Sequence, residues 1–186
     1  MRKEFSLNMR IRILRLFWIV LLLAICQPTT FYAYGAVHVF DALEYGDHRP
    51  TGKTISKAIE SIGQTKAVLV LREGKWIISS DLEIPANISL RVNQGAIIFL
   101  DNTKLSINGV VEAGRYQILS YQSGIVEFGR MPARKVYPHW WGAKGDNKTN
   151  DWLACQQAVD SVGTNGGTVE FPEGNYIIES NAIVVW

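Results

Sequence analysis

Between residues 68 and 128 the chain never sustains an apolar run longer than five residues. Runs at 68–71, 76–78, 82–84, 88–92, 96–100, 105–107, 110–111, 116–119 and 125–128 are each closed by turn formers. The separators include Pro85-Ala86-Asn87, Asn93-Gln94-Gly95, Asp101-Asn102, Asn108-Gly109 and Ser123-Gly124. Runs this short suit strands rather than helices, so the pattern predicts strand, turn, strand at close intervals. Ile88, Leu90 and Val92 alternate with Ser89 and Arg91, which puts one strand face in a core and the other in water. Two architectures absorb many short strands: an antiparallel sandwich or barrel, and a parallel β-helix. The turns are mostly Asn, Gly and Pro and are not consistently two-residue hairpin types, so composition leans toward the β-helix.

A second constraint is internal similarity. Glu73-Gly74-Lys75-Trp76-Ile77-Ile78 returns one hundred residues later as Glu173-Gly174-Asn175-Tyr176-Ile177-Ile178. At that offset, eight of the 25 positions from Ser56 to Ser80 are identical without a gap. Such a repeat defines the unit before any fold is proposed. Each copy begins with a predicted helix. In the first, Ile55, Ala58, Ile59 and Ile62 recur at helical spacing and stop at Gly63. In the second, Trp152, Cys155, Ala158, Val159 and Val162 do the same and stop at Gly163. Asn150 or Asp151 is the expected N-cap of the second helix. Gly74 and Gly174 are expected at corners whose backbone angles a Cβ would strain.

The first 35 residues differ from the rest. Five basic residues and Glu4 precede the apolar run of residues 16–26, and Ala33 and Gly35 sit at the −3 and −1 positions of a cut after Gly35. This is the pattern of a secretory signal peptide. The alternative is an uncleaved anchor, but eleven helical residues span only about 16 Å against a bilayer core of about 30 Å. Of 19 basic and 17 acidic residues, five and one fall in the leader, leaving 14 and 16 beyond it and a formal charge of −2. No basic face remains to suggest nucleic acid. Cys26 leaves with the leader, so Cys155 alone forms neither an intramolecular disulfide nor a cysteine zinc cluster.

The segment Trp140-Trp141-Gly142-Ala143-Lys144-Gly145-Asp146-Asn147-Lys148-Thr149-Asn150-Asp151, followed by Gly166-Gly167-Thr168-Val169-Glu170-Phe171-Pro172-Glu173-Gly174-Asn175-Tyr176, resembles the N-terminal motif of the pectate-lyase-like superfamily. Asn147, Asn150 and Trp152 depart from the residues usual there. The resemblance covers residues 138–180 closely and residues 44–130 more loosely. It implies a mainly β chain of right-handed parallel β-helix rungs with short capping helices, in two repeated opening modules. The organisation it suggests is a signal peptide at 1–35, a first module at 36–136 and an incomplete second module at 137–186.

The same resemblance implies a secreted protein, extracellular or periplasmic, that acts on or binds polysaccharide, as lyase or glycoside hydrolase. The other class is a non-catalytic, tailspike-like binding or adhesion rod. Fold does not choose between them. The apolar residues 183–186 have no expected partner strand, so the chain reads as the front of a longer protein whose catalytic rungs lie downstream. It is accordingly expected to be inactive alone. No catalytic residue, cofactor-binding residue or metal ligand is assigned. Calcium enters only through the resemblance, and no membrane contact is expected after cleavage.

Four local signals have ordinary explanations. Gly46-Asp47-His48-Arg49-Pro50-Thr51-Gly52-Lys53-Thr54 nearly spells a phosphate loop, but Asp47 stands where the motif needs Gly. Asp146 and Asp151 could pair for sugar chemistry, yet their place before a helix suits capping. Tyr137, Trp140 and Trp141 could stack on sugars but are expected to pack. His139 lacks a second metal ligand, and Cys155 reads as a small apolar helix residue.

Overall fold

The computed structural model describes residues 37–120, 124–129, 135–179 and 183. The expected signal peptide and the terminal apolar run beyond Ile183 lie outside them. The described strands and helices all belong to the unit Val37–Trp186.

This unit is mainly β, and every strand pair described in it is parallel. After β1 (His38–Asp41) and the helix α1 (Gly52–Ile62) come β2 (Ala67–Leu71), β3 (Gly74–Ile78) and β4 (Leu82–Ile84). A second triplet follows: β5 (Ile88–Val92), β6 (Ala96–Leu100) and β7 (Lys104–Ile107). The third has β8 (Val111–Glu112), a single bridge at Leu119 and β9 (Ile125–Phe128). Each position pairs with its counterpart in the next triplet: Leu69 with Leu90 and Leu90 with Val111, Trp76 with Ile98 and Ile98 with Leu119, Leu82 with Leu105 and Leu105 with Val126. Successive partners are 21 to 23 residues apart.

The alternation read from the sequence explains the core. Ile88, Leu90 and Val92 are buried, as are Ala96, Ile98 and Leu100, while the residues between them are half-exposed. Each such side chain stacks on the equivalent of the neighbouring triplet, and full burial of a large aliphatic or aromatic residue contributes about 1.5–3 kcal/mol. Trp76 fills the middle ladder with no exposed surface, and its Nε1 donates to the Arg72 carbonyl.

The predicted run at 116–119 does not form a strand. The N–H groups of Ile118 and Leu119 both donate to the Trp140 carbonyl instead, so only the bridge to Ile98 survives. The run at 110–111 shifts by one residue to β8. Three strands were not expected: β1, β10 (Lys135–Val136) and β11 (Asp146–Asn150). The remaining elements are α2 (Trp152–Val162), β12 (Thr168–Val169) and β13 (Asn175–Ile177), with β10 pairing β12 and β11 pairing β13.

Both helices have eleven residues and begin one hundred residues apart. Thr51 caps α1 through Oγ1, which accepts from the N–H of Thr54, and Ile55, Ala58 and Ile62 face the core. Gly63 and Gly163 end the two helices at positive φ, donating to the Ile59 and Val159 carbonyls. The stripe of α2 is rotated from the expected one. Ala154, Cys155, Ala158 and Ser161 are buried, whereas Trp152, Val159 and Val162 are half-buried.

Candidate functional site

The loop that precedes α2 gathers most of the residues singled out by sequence. Gly142, Gly145 and Asn147 all have positive φ, which folds the chain tightly enough for two carboxylates to engage it. The Asp146 carboxylate accepts from the N–H groups of Lys148 (3.0 Å) and Thr149 (2.7 Å) and from Thr149 Oγ1 (3.1 Å). The Thr149 N–H foremost holds its carboxyl below the usual range. Asp151 is 1% exposed and accepts from the N–H groups of Lys144 (2.8 Å) and Gly145 (3.0 Å).

Of the two expected caps of α2, Asn150 acts and Asp151 does not. Asp151 occupies the N-cap position of α2 without capping it, because its carboxylate turns back into the loop. Asn150 bonds the first helical N–H instead, that of Trp152 at 3.1 Å. Nor do Asp146 and Asp151 form an acid–base pair across a substrate position. Both carboxylates serve the main chain of one loop.

The earlier loop uses the same devices. Gly46 and His48 have positive φ, and between them Asp47 accepts from the Arg49 N–H (3.3 Å) and Thr54 Oγ1 (3.1 Å). Gly46, Asp47 and His48 correspond to Gly145, Asp146 and Asn147 at an offset of 99, one less than the helices. The phosphate-loop likeness ends here. The Thr54 N–H already bonds Thr51, and an anionic carboxylate occupies the approach to the helix start.

The aromatic residues are packing groups. Trp140 and Trp141 are fully buried, and Phe128 lies against both, with ring centroids 6.1 and 6.3 Å away. Trp140 Nε1 donates to the Gly114 carbonyl at 2.9 Å. Neither indole presents a face to a sugar. Tyr137 is half-buried, and Arg115 lies over its ring at 5.6 Å.

His139 meets Tyr176 edge-on, and burial pushes its imidazole pKa below the ordinary value. Burial, then the nearby Asp151 charge, pushes the Cys155 thiol up to about 11, the opposite of an activated nucleophile. Among the described residues no group of three or more His, Cys, Asp or Glu could hold a metal ion. No helix among them is long and apolar enough to cross a membrane.

The outward faces of the triplets carry charges tied to one another. Arg91 on β5 pairs with Glu112 on β8 at 2.7 Å, and Lys104 on β7 pairs with Glu127 on β9 at 2.7 Å. Arg72 pairs with Asp41. Glu170 receives both Lys135 (2.6 Å) and Arg115 (3.4 Å). Sequence reading missed these pairs because partners stand 21 to 55 positions apart and become neighbours only through the parallel register. No family model matches the chain, and no curated protein or solved structure matches it either.

Proposed function

We propose that residues 37–179 form the opening segment of a right-handed parallel β-helix of the pectate-lyase-like kind, in an exported protein that binds or acts on polysaccharide. The observation that carries this reading is the repeated parallel pairing of three strand triplets at a separation of 21 to 23 residues, reduced to a single bridge only in the middle ladder of the third. A chain that returns to the same three ladders in the same direction wraps around its own core. Parallel crossovers are right-handed in about 98% of cases, which supports the handedness. α1 packs on β1, β3 and β4, as a helix covering one end of the wrap would. The equal helices one hundred residues apart, each between two mutually parallel strands, support two successive opening modules. The polysaccharide partner rests on the sequence resemblance.

A second reading, the non-catalytic rod, is favoured by the ion pairs between Arg91 and Glu112 and between Lys104 and Glu127. They engage outward carboxylates in triplet-to-triplet contacts rather than around a ligand. One experiment tests the polysaccharide partner that both readings share. The full chain is incubated with pectin, polygalacturonate and other acidic glycans, and both co-sedimentation and release of unsaturated or reducing products are measured. Product release selects the enzyme, binding without product sustains polysaccharide recognition under either reading, because the catalytic rungs are expected downstream, and absence of both overturns the polysaccharide reading.

A further inference from the structure

His139 is one of two described residues with a buried side-chain polar atom lacking any hydrogen-bond partner among the described residues. The orphaned atom, Nδ1, sits in a mechanically important place. His139 belongs to the 3-10 turn Pro138–Trp141, one of three such turns among the described residues, and this turn packs against α2. The Trp140 carbonyl of that turn accepts from the N–H groups of Ile118 (3.0 Å) and Leu119 (2.8 Å). Trp140 and Trp141 close the same joint from inside against Phe128. The turn thus fastens the third strand triplet to the second helix.

The groups around the imidazole are few. Tyr176, from β13, presents its ring edge-on, with centroids 5.9 Å apart and planes at 86°. Asp151, at the start of α2, favours the imidazolium, and Arg115, beyond β8, opposes it. Cys155 on α2 and Tyr176 both carry raised pKa values, so neither adds charge near neutrality. Asp151 cannot readily swing toward a protonated ring, because its two oxygens hold the Lys144 and Gly145 N–H groups. A charge placed on the ring there is desolvated without a new partner, which is costly.

We propose that His139 is an acid-sensitive latch, whose uncharged ring lets the 138–141 turn hold Ile118 and Leu119 to α2 and whose protonation releases that joint while the first two triplets stay paired. The released chain takes up its proton at the ordinary histidine value and the closed joint only at a lower one. The latch is therefore at full strength above the ordinary range and weakens as pH falls toward the closed-state value. One proton limits the change to about tenfold in the opening equilibrium per pH unit. The other two histidines, His38 and His48, are exposed and belong to the first module.

The test is amide hydrogen exchange on the full chain between pH 7 and 5, corrected for intrinsic rates, in wild type and His139→Phe. In wild type the Ile118, Leu119 and α2 amides should lose protection relative to those of β2 and β5, by up to about tenfold per pH unit. In His139→Phe that ratio should not change with pH. An unchanged ratio in wild type, or an identical fall in the variant, overturns the latch. If the variant does not fold, the wild-type imidazole is titrated by NMR. Titration at or above about 6.5 overturns the proposal, and a depressed titration in step with the loss of protection sustains it.

Discussion

Gly109 lies where the backbones of two successive triplets come close, and replacing it with Ala tests their spacing. A Cβ built on Gly109 would overlap the Ile88 carbonyl oxygen, lie 2.8 Å from its carbon and stand 3.1 Å from the Pro85 oxygen. All three are backbone atoms, so no side-chain rotation relieves the contact. Restoring ordinary separation means parting the two main chains by roughly 1.5–2 Å. Two hydrogen bonds flank the site, Asn108 N–H to Ile84 O at 2.9 Å and Leu90 N–H to Val110 O at 2.8 Å. A shift of that size stretches both beyond useful length. Losing each costs about 1 kcal/mol, and overpacking adds about 1–3 kcal/mol, so Gly109→Ala should cost about 3–5 kcal/mol.

Gly63→Ala is the control. Gly63 has a φ of +57° and nothing within 4 Å of a built Cβ, so only backbone strain of about 1–2 kcal/mol applies. The assay is urea unfolding of the full chain, followed by tryptophan emission and by far-ultraviolet circular dichroism. A Gly109→Ala chain as stable as Gly63→Ala would refute the close parallel stacking of β5 on the 108–110 segment.

Two further outcomes are expected. Gly74→Ala and Lys75→Ala should lower the thermal midpoint by similar amounts. The first strains a φ of +145° at a cost of about 1 kcal/mol, and the second removes an ammonium 4.3 Å from the Phe99 centroid, worth about 0.5–1 kcal/mol; a large gap in either direction on melting would contradict this. Cys155 should resist iodoacetamide at pH 8 in the native chain and react quickly in 6 M urea, because it is buried and its thiol is raised to about 11; rapid native alkylation, read by mass spectrometry, would show that the α2 interface opens.

The ladders were legible because alternation is a local property. Ile88, Leu90 and Val92 declare their faces without reference to any partner. What the sequence did not reveal depends on neighbours. Asp146-Asn147-Lys148-Thr149-Asn150 has no apolar alternation, so β11 looks like loop, and it becomes a strand only by pairing with β13. The run at 116–119 has strand-forming residues, but Trp140 takes its N–H groups. The two corner glycines also part company. Gly74 has the positive φ expected of it, whereas Gly174 does not. Gly174 is needed because a Cβ would lie 2.9 Å from the Gly145 oxygen. At the candidate site, sequence placed Asp146 and Asp151 beside a helix but could not tell which N–H groups they would choose. That choice follows from the positive-φ turns at Gly145 and Asn147, which bring the loop backbone around the carboxylates.

The even spacing of the ladders has a kinetic consequence. Within the triplets, each residue finds its partner 21 to 23 positions along the chain, from Ala67 with Ile88 to Lys104 with Ile125. Loop-closure entropy grows with the logarithm of loop length, so each added strand closes a loop of nearly the same cost as the last. The sequence separation of these contacts is set by one triplet, not by the length of the protein. Folding can then start at whichever triplet forms first and grow strand by strand, as expected where each unit contacts only its neighbours. The well-packed first and second triplets, held together by three ladders, are the natural nucleus, and the third, with only a bridge at Leu119 in its middle ladder, is the natural place for growth to pause.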